Sequence, residues 1–155
     1  DNEIRVIEIG CASGNNALNV LNTLNISEYI IIDPYDKYSD GYNDYDKDRL
    51  TKMKNEANKL LSHYSDKITW IYTNSESAIN QISGKVDYIY IDGNHSYYYV
   101  KSDMEKYSEL LQDKYVFGGH DIDLPDVVKA FVEFVSENNY ECFEIKDPDW
   151  IIYSN

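Results

Sequence analysis

The sequence predicts a doubly wound, Rossmann-like α/β domain built on a mostly parallel seven-stranded sheet that ends in an antiparallel hairpin. Three observations predict it. Short apolar runs alternate with longer amphipathic stretches along all 155 residues, the pattern of strands joined by crossover helices. The first run breaks into a glycine turn and then reads as a helix, "IEIGCASGNNALNV". The last two runs have only Asp147-Pro148-Asp149 between them, too little for a crossover, so they pair as a hairpin at the sheet edge.

Each element follows in chain order. "IRVIEIG" (4–10) leads into a helical pattern over 15–25, and "YIIIDP" (29–34) into a polar segment and a helix over 47–64. "KITWIYT" (67–73) precedes a short helix from Ser75 to Ile82. "VDYIYID" (86–92) precedes a helix over 96–112, and "KYVFGGHD" (114–121) one over 125–138. "YECFEIK" and "DWIIYSN" close the chain. Residues 35–49, "YDKYSDGYNDYDKDR", form an acidic insertion poor in aliphatic residues. It reads first as a solvated connection, with a lid or substrate loop as the functional alternative.

Composition narrows the function. The 28 acidic and 14 basic residues give a net charge of −14, which repels a phosphate backbone and excludes nucleic acid and anionic membrane as expected partners. Small molecules, cations and basic partners remain. The two cysteines, Cys11 and Cys142, lie far apart, a usage that fits reduced thiols in the cytoplasm. No apolar run reaches the roughly 18 residues of a membrane span.

In an open α/β sheet, a glycine turn after the first strand brings backbone N–H groups and a helix N-terminus close to a ligand. A dinucleotide fingerprint aligned on Gly10 would place Ala12 at its second glycine and Asn15 at its third, which weakens a nicotinamide reading. The spacing of Glu8, Gly10, Ala12 and Gly14 instead resembles motif I of class I S-adenosylmethionine-dependent methyltransferases. That resemblance implies a cofactor site formed by Glu8, Gly10, Cys11, Ala12, Ser13 and Gly14, with Cys11 a small packing residue. Asp33 ends the second strand, where a carboxylate can accept ribose hydroxyls; a strand-ending turn with Pro34 is its plainer reading. Asn74 and Ser75 end the third strand, matching the positions that meet adenine in this class, or capping the next helix.

Two of the three histidines fall just past predicted strand ends, His95 in "IDGNH" and His120 in "GGHD". Strand ends of this kind face the ligand crevice, so Asp92, His95, His120 and Asp121 are expected to converge beside the glycine turn. The stretch "YIDGNHSYYYVKSDMEKYSELLQDKYVFGGHD" resembles the metal-dependent sugar O-methyltransferases and the cephalosporin-hydroxylase-like group, and the likeness runs over nearly the whole chain. It implies that Asp92, His120 and Asp121 hold a divalent cation, magnesium or manganese, with His120 standing where relatives carry an acid. Asp92 is also expected to border the cofactor, and because an acceptor hydroxyl must lose its proton as it attacks, the nearby imidazole of His95 is the candidate base.

The function expected is transfer of a methyl group from S-adenosylmethionine to a hydroxyl of a sugar or other small polyol. The alternatives are a nicotinamide-dependent oxidoreductase and a catalytically inactive cofactor-binding module. The chain reads as a single domain over 1–155 that starts at the first strand, without the upstream helices usual in these enzymes, as a module of a larger polypeptide would.

Overall fold

A computed structural model describes residues 2–154. Its elements in chain order are β1 (Ile4–Ile9), α1 (Asn15–Thr23), β2 (Ile26–Ile32), β3 (Tyr38–Ser39), β4 (Asp44–Tyr45), α2 (Lys47–Leu60), β5 (Ile68–Ile71), α3 (Ser75–Ala78), β6 (Val86–Ile91), α4 (Tyr97–Ser108), β7 (Leu111–Gly119), α5 (Pro125–Glu137), β8 (Phe143–Lys146) and β9 (Asp149–Tyr153). Single 3₁₀ turns follow α2 and α3.

The seven-stranded sheet has the order β5-β2-β1-β6-β7-β9-β8. All pairings among β5, β2, β1, β6 and β7 are parallel. The closing strands pair antiparallel, β9 with both β7 and β8, as the Asp-Pro-Asp spacer requires. Strand order reverses between β1 and β6, and the carboxyl ends at such a switch point form the ligand crevice of open α/β sheets.

Side chains alternate across the sheet and divide the core in two. Ile7, Ile9, Ile30, Ile32, Ile89 and Ile91 face α4 and α5, whose Val100, Met104, Val127 and Phe131 cover them. Val6, Tyr29 and Ile31 face α1 and α2, meeting Ala17, Leu21, Ala57 and Leu61. Trp150 lies at the centre of the first cluster, with ring contacts to Phe117 and Phe131. Its truncation to alanine would cost about 3–5 kcal/mol.

Four boundaries differ from the sequence expectation. The first helix stops at Thr23 and β2 starts at Ile26, because Ile26 pairs with Ile4 and buries its side chain. The second helix ends at Leu60, leaving Ser62–Tyr64 as a 3₁₀ turn. The third is one α turn, Ser75–Ala78, followed by a 3₁₀ turn over Ile79–Gln81. The helix expected to reach 112 ends at Ser108, since Leu111 already pairs with Val86 as the start of β7. In the first and last cases strand pairing distant in sequence overrides local periodicity.

The acidic insertion is not a plain solvated connection. It folds into the β3–β4 hairpin, with Tyr38 stacked on Tyr45 at 4.8 Å between ring centroids. Asp40 is buried at its tip and accepts hydrogen bonds from the Tyr42 and Asn43 amides. This Asx-type cap turns the chain at Asp40-Gly41 and fixes the hairpin against the sheet's carboxyl edge.

Candidate active site

The glycine turn is forced by the backbone of its neighbour. Gly10 has φ +83°, and a Cβ there would lie 1.9 Å from the Asp92 carbonyl oxygen. The close approach is fixed on both sides: the Asp92 amide donates to the Ile9 carbonyl and the Gly10 amide to that of Ile32. The turn then closes through the Gly14 amide on the Cys11 carbonyl, and Gly14 opens α1.

A cavity of about 510 Å³ lies above this turn, within the usual range for a small-molecule site. Gly10, Ala12, Asp33, Asn74, Ser75, Asp92, His95, His120 and Asp121 line it. A larger, open groove of about 1240 Å³ is lined by Leu24, Tyr88 and Val116 instead; none of the sequence-predicted site residues borders it.

Four residues expected at the cofactor shape the turn without lining the cavity. Glu8 is buried beneath it and accepts from the Asn16 side chain; burial pushes its carboxyl up to about 8. Cys11 packs among Ala17, Leu21 and Tyr29 as a small core residue. Ser13 donates to Glu56 of α2. Gly14 is the α1 N-cap residue.

Asp33 is engaged by the turn itself. Its Oδ2 accepts from the amides of Cys11 and Ala12 at 3.0 and 3.2 Å, and its Oδ1 from the Tyr35 amide at 2.8 Å. Burial raises its pKa against the opposing pull of these amides. The Tyr35 hydroxyl donates to the Ala12 carbonyl, so the Asp33–Tyr35 segment staples the glycine turn from above. Asn74 caps α3 by accepting from the Ser77 amide at 2.8 Å, and its side-chain amide N–H groups are left for another acceptor.

The two aspartates and two histidines past β6 and β7 do converge. Gly119 permits it: a Cβ there would fall 2.4 Å from the Trp150 ring and 2.7 Å from the Ile91 carbonyl, so only glycine lets β7 end this close to β6. Asp121 adopts a left-handed φ of +59°, a conformation aspartate tolerates better than most residues. One ligand atom from each of Asp92, His95 and Asp121 lies within 4.8 Å of the others. His120 stands beside them, its Nδ1 3.1 Å from Asp121 Oδ1 and 4.0 Å from Asp92 Oδ1.

His95 is the most constrained member. Its Nδ1 meets Asp40 Oδ2 at 2.6 Å, so the insertion's hairpin reaches into the cluster. Its Nε2 lies 2.7 Å from Asp121 Oδ2 and 3.8 Å from Asp92 Oδ1. Yet Nε2 makes no aligned hydrogen bond and is shielded from solvent. Burial alone would lower the His95 pKa, but the carboxylates of Asp121, Asp92 and Asp40 override it and hold it at about 10. Burial opposes ionisation of Asp40 as well, and its backbone amides and His95 prevail, keeping its carboxyl below the ordinary range. The His120 imidazole, more exposed, is raised by Asp92 and Asp121 against the effect of burial.

The donor set fits a divalent cation. Two carboxylates with imidazole nitrogens suit magnesium or manganese, the imidazoles favouring the latter, and a shielded Nε2 set 2.7 Å from Asp121 and 3.8 Å from Asp92 is a ready ligand position.

Two acidic residues, one behind the cluster and one on the cavity wall, escaped sequence reasoning. Asp40 had no local signal beyond the turn-forming "SDGYN". Asp103 lines the cavity while buried to 4% exposure; desolvation raises its carboxyl to about 7 against a hydrogen bond from Ser75. Its signal was a carboxylate within the apolar stripe of Val100, Met104 and Tyr107. Tyr97, Tyr98 and Tyr99 are consecutive at the head of α4; Tyr99 borders the cavity, whereas Tyr97 donates to Glu133 of α5.

Comparison with solved structures places this architecture. NovP, an O-methyltransferase, superposes with a TM-score of 0.74 at 10% identity, covering 98% of this chain and 72% of its own. The O-methyltransferase from Bacillus cereus, in complex with SAH, gives 0.70 at 11% identity, covering 97% and 74%. Spermidine synthase from Thermotoga maritima gives 0.66 at 13% identity and covers 99% of this chain. The present chain spans 55% of that synthase's length. Identities this low establish likeness of fold. Comparison with curated proteins returns no sequence match. Residues 7–122, most of the chain and the whole of the glycine turn and the acidic cluster, match the family described as methyltransferase domain, and the chain belongs to that family.

Proposed function

We propose that the protein transfers the methyl group of S-adenosylmethionine to a hydroxyl of a small polyol such as a sugar, with a divalent cation at the Asp92–Asp121 pair. The observation that carries this reading is the convergence of Asp92, His95 and Asp121 beside the glycine turn, on the wall of one cavity. Family membership favours a methyl donor over the nicotinamide alternative.

The chain's residues divide the work. The turn from Gly10 to Ala12 and the Asn74 amide would seat the cofactor, with the Asp33 carboxylate beside its ribose. S-adenosylmethionine, when bound, would supply an activated methyl group and a sulfur leaving group, and the site would hold the acceptor oxygen in line with them. The hydroxyl proton passes to His95 Nε2, while Asp40 fixes the opposite N–H and stabilises the imidazolium. A divalent cation on Asp92 and Asp121 would lower the hydroxyl pKa and offset the carboxylate charge that keeps a proton on His95.

A second reading exchanges the two imidazoles. The shielded Nε2 between two carboxylates favours His95 as the third ligand, with the more exposed His120 taking the proton. Alanine substitutions separate the two. If His95 is the base, His95→Ala leaves manganese affinity nearly unchanged while methyl transfer falls. If His95 is a ligand, its loss weakens manganese binding by about tenfold or more.

The function itself is tested by incubating the protein with S-adenosylmethionine and a panel of sugars and polyols, with magnesium, with manganese and with chelator. Cation-dependent production of SAH, lost in Asp92→Ala, is the expected result. Cofactor binding without turnover on any acceptor would support the inactive-module alternative.

A further inference from the structure

The outer edge of the sheet carries a self-complementary pattern that no part of the proposed reaction uses. β8 is the terminal strand, and all four of its residues, Phe143, Glu144, Ile145 and Lys146, are exposed. Its inner side is satisfied by β9, with Lys146 opposite Asp149 and Glu144 opposite Ile151. The Tyr153 amide donates to the Cys142 carbonyl, so even-numbered residues bond inward. By antiparallel alternation, the N–H and C=O groups of Phe143 and Ile145 point outward.

An antiparallel copy of the same strand centred on Ile145 satisfies the Ile145 groups and brings those of Phe143 opposite Asp147 of the second copy, at the start of the turn. Ile145 then faces Ile145 of the second copy in a hydrogen-bonded pair. Glu144 falls opposite the second copy's Lys146, and Lys146 opposite its Glu144, in the closely spaced non-hydrogen-bonded positions where cross-strand ion pairs are strongest. Neither residue has an ion-pair partner among the described residues.

The apolar neighbours agree with this axis. Ile145 is 54% exposed and Phe143 42%, and Phe143 is tied to α5 through a ring contact with Phe131. On α5, Lys129, Glu133 and Glu137 engage Tyr97 and Lys101 of α4. Val128 and Val132, one turn apart, are exposed on the opposite flank. A strand edge this apolar would otherwise invite non-specific pairing.

We infer that two copies of this chain associate through β8, extending the sheet across a two-fold axis at Ile145, with Val128 and Val132 of each α5 flanking the joint. The contact is isologous. It lies at the far edge from the β1–β6 switch point, so both cavities stay open.

Sedimentation velocity of the full chain over a concentration series tests this, with far-UV circular dichroism confirming that each variant is folded. The wild type is expected to form a dimer. Lys146→Glu alone and Glu144→Lys alone each set like charges opposite one another and weaken association by about tenfold or more. The double reversal Glu144→Lys/Lys146→Glu restores the pairing and returns association to near the wild-type level. A wild type that stays monomeric at every accessible concentration, a dimer indifferent to the single reversals, or a double variant as weak as the singles would overturn the proposal.

Discussion

Asp40 and His95 meet at 2.6 Å, Oδ2 to Nδ1, with the Asp40 side chain wholly shielded from solvent. The bond joins the tip of an acidic hairpin to the head of α4, and it decides which imidazole nitrogen faces the cavity. Asp40 also accepts the Tyr42 and Asn43 amides through its other oxygen, so one carboxylate shapes the hairpin and orients the histidine.

Asp40→Asn separates these duties. The asparagine oxygen can still accept both turn amides, but its NH₂ would face Nδ1 and demand an acceptor there, moving the ring proton to Nε2. Methyl transfer is expected to fall by about 100-fold or more, the scale of lost acid–base catalysis, with a modest change in melting temperature. The nitrogen shifts of the His95 ring by NMR report the tautomer directly.

The cluster also carries a pH signature in the cation-free protein. Folding raises the His95 pKa from 6.5 to about 10, so the folded chain holds this proton more tightly than the unfolded chain. The stabilisation is fully present below pH 6.5 and is lost as pH rises through about 10. Asp40 and Asp121 shift downward, so their contribution disappears only in acid, as pH falls through their depressed values. The melting temperature of wild type should exceed that of His95→Gln most clearly in mildly acidic buffer, and the gap should close toward pH 10. Because a cation and this proton compete, manganese affinity should rise with pH, checked by titration calorimetry.

Gly10→Ala is expected to cost roughly 2–4 kcal/mol, combining a clash with backbone and a positive φ. The Asp92 carbonyl at 1.9 Å from the new Cβ cannot yield without moving the end of β6. Urea denaturation measures the loss, and SAH affinity should fall with it.

Asn74→Asp tests whether the α3 cap is also a cofactor contact. Aspartate caps as well as asparagine, so stability should stay within about 0.5 kcal/mol. The substitution removes the two amide donors that border the cavity. Reduced SAH affinity at unchanged stability would identify a cofactor contact, whereas unchanged affinity would leave Asn74 as a cap alone.

Much of this was legible in the sequence because it depends on local signals. Strand runs separated by helical stretches dictate crossovers, and Asp147-Pro148-Asp149 dictates a hairpin, so a mostly parallel sheet with an antiparallel closing edge followed. Asp92, His95, His120 and Asp121 could be brought together on paper because all four follow strand ends. What escaped depends on contacts distant in sequence. Leu111 sits at helical spacing from Tyr107 yet pairs with Val86. Asp40 lies in a segment whose composition reads as solvated, and its burial comes from a histidine across 55 positions of chain. Asp33 has a strand-end position suited to ribose, while its engagement by the Cys11 and Ala12 amides depends on how closely the turn folds back.

The most direct test of the account is calorimetric titration of S-adenosylmethionine and SAH into the purified protein with magnesium, with manganese and with chelator. Saturable binding of both is expected, lost in Gly10→Ala, with a separate manganese isotherm lost in Asp92→Ala and Asp121→Ala. Absence of cofactor binding under every condition would contradict it and leave the glycine turn as a structural feature of the fold.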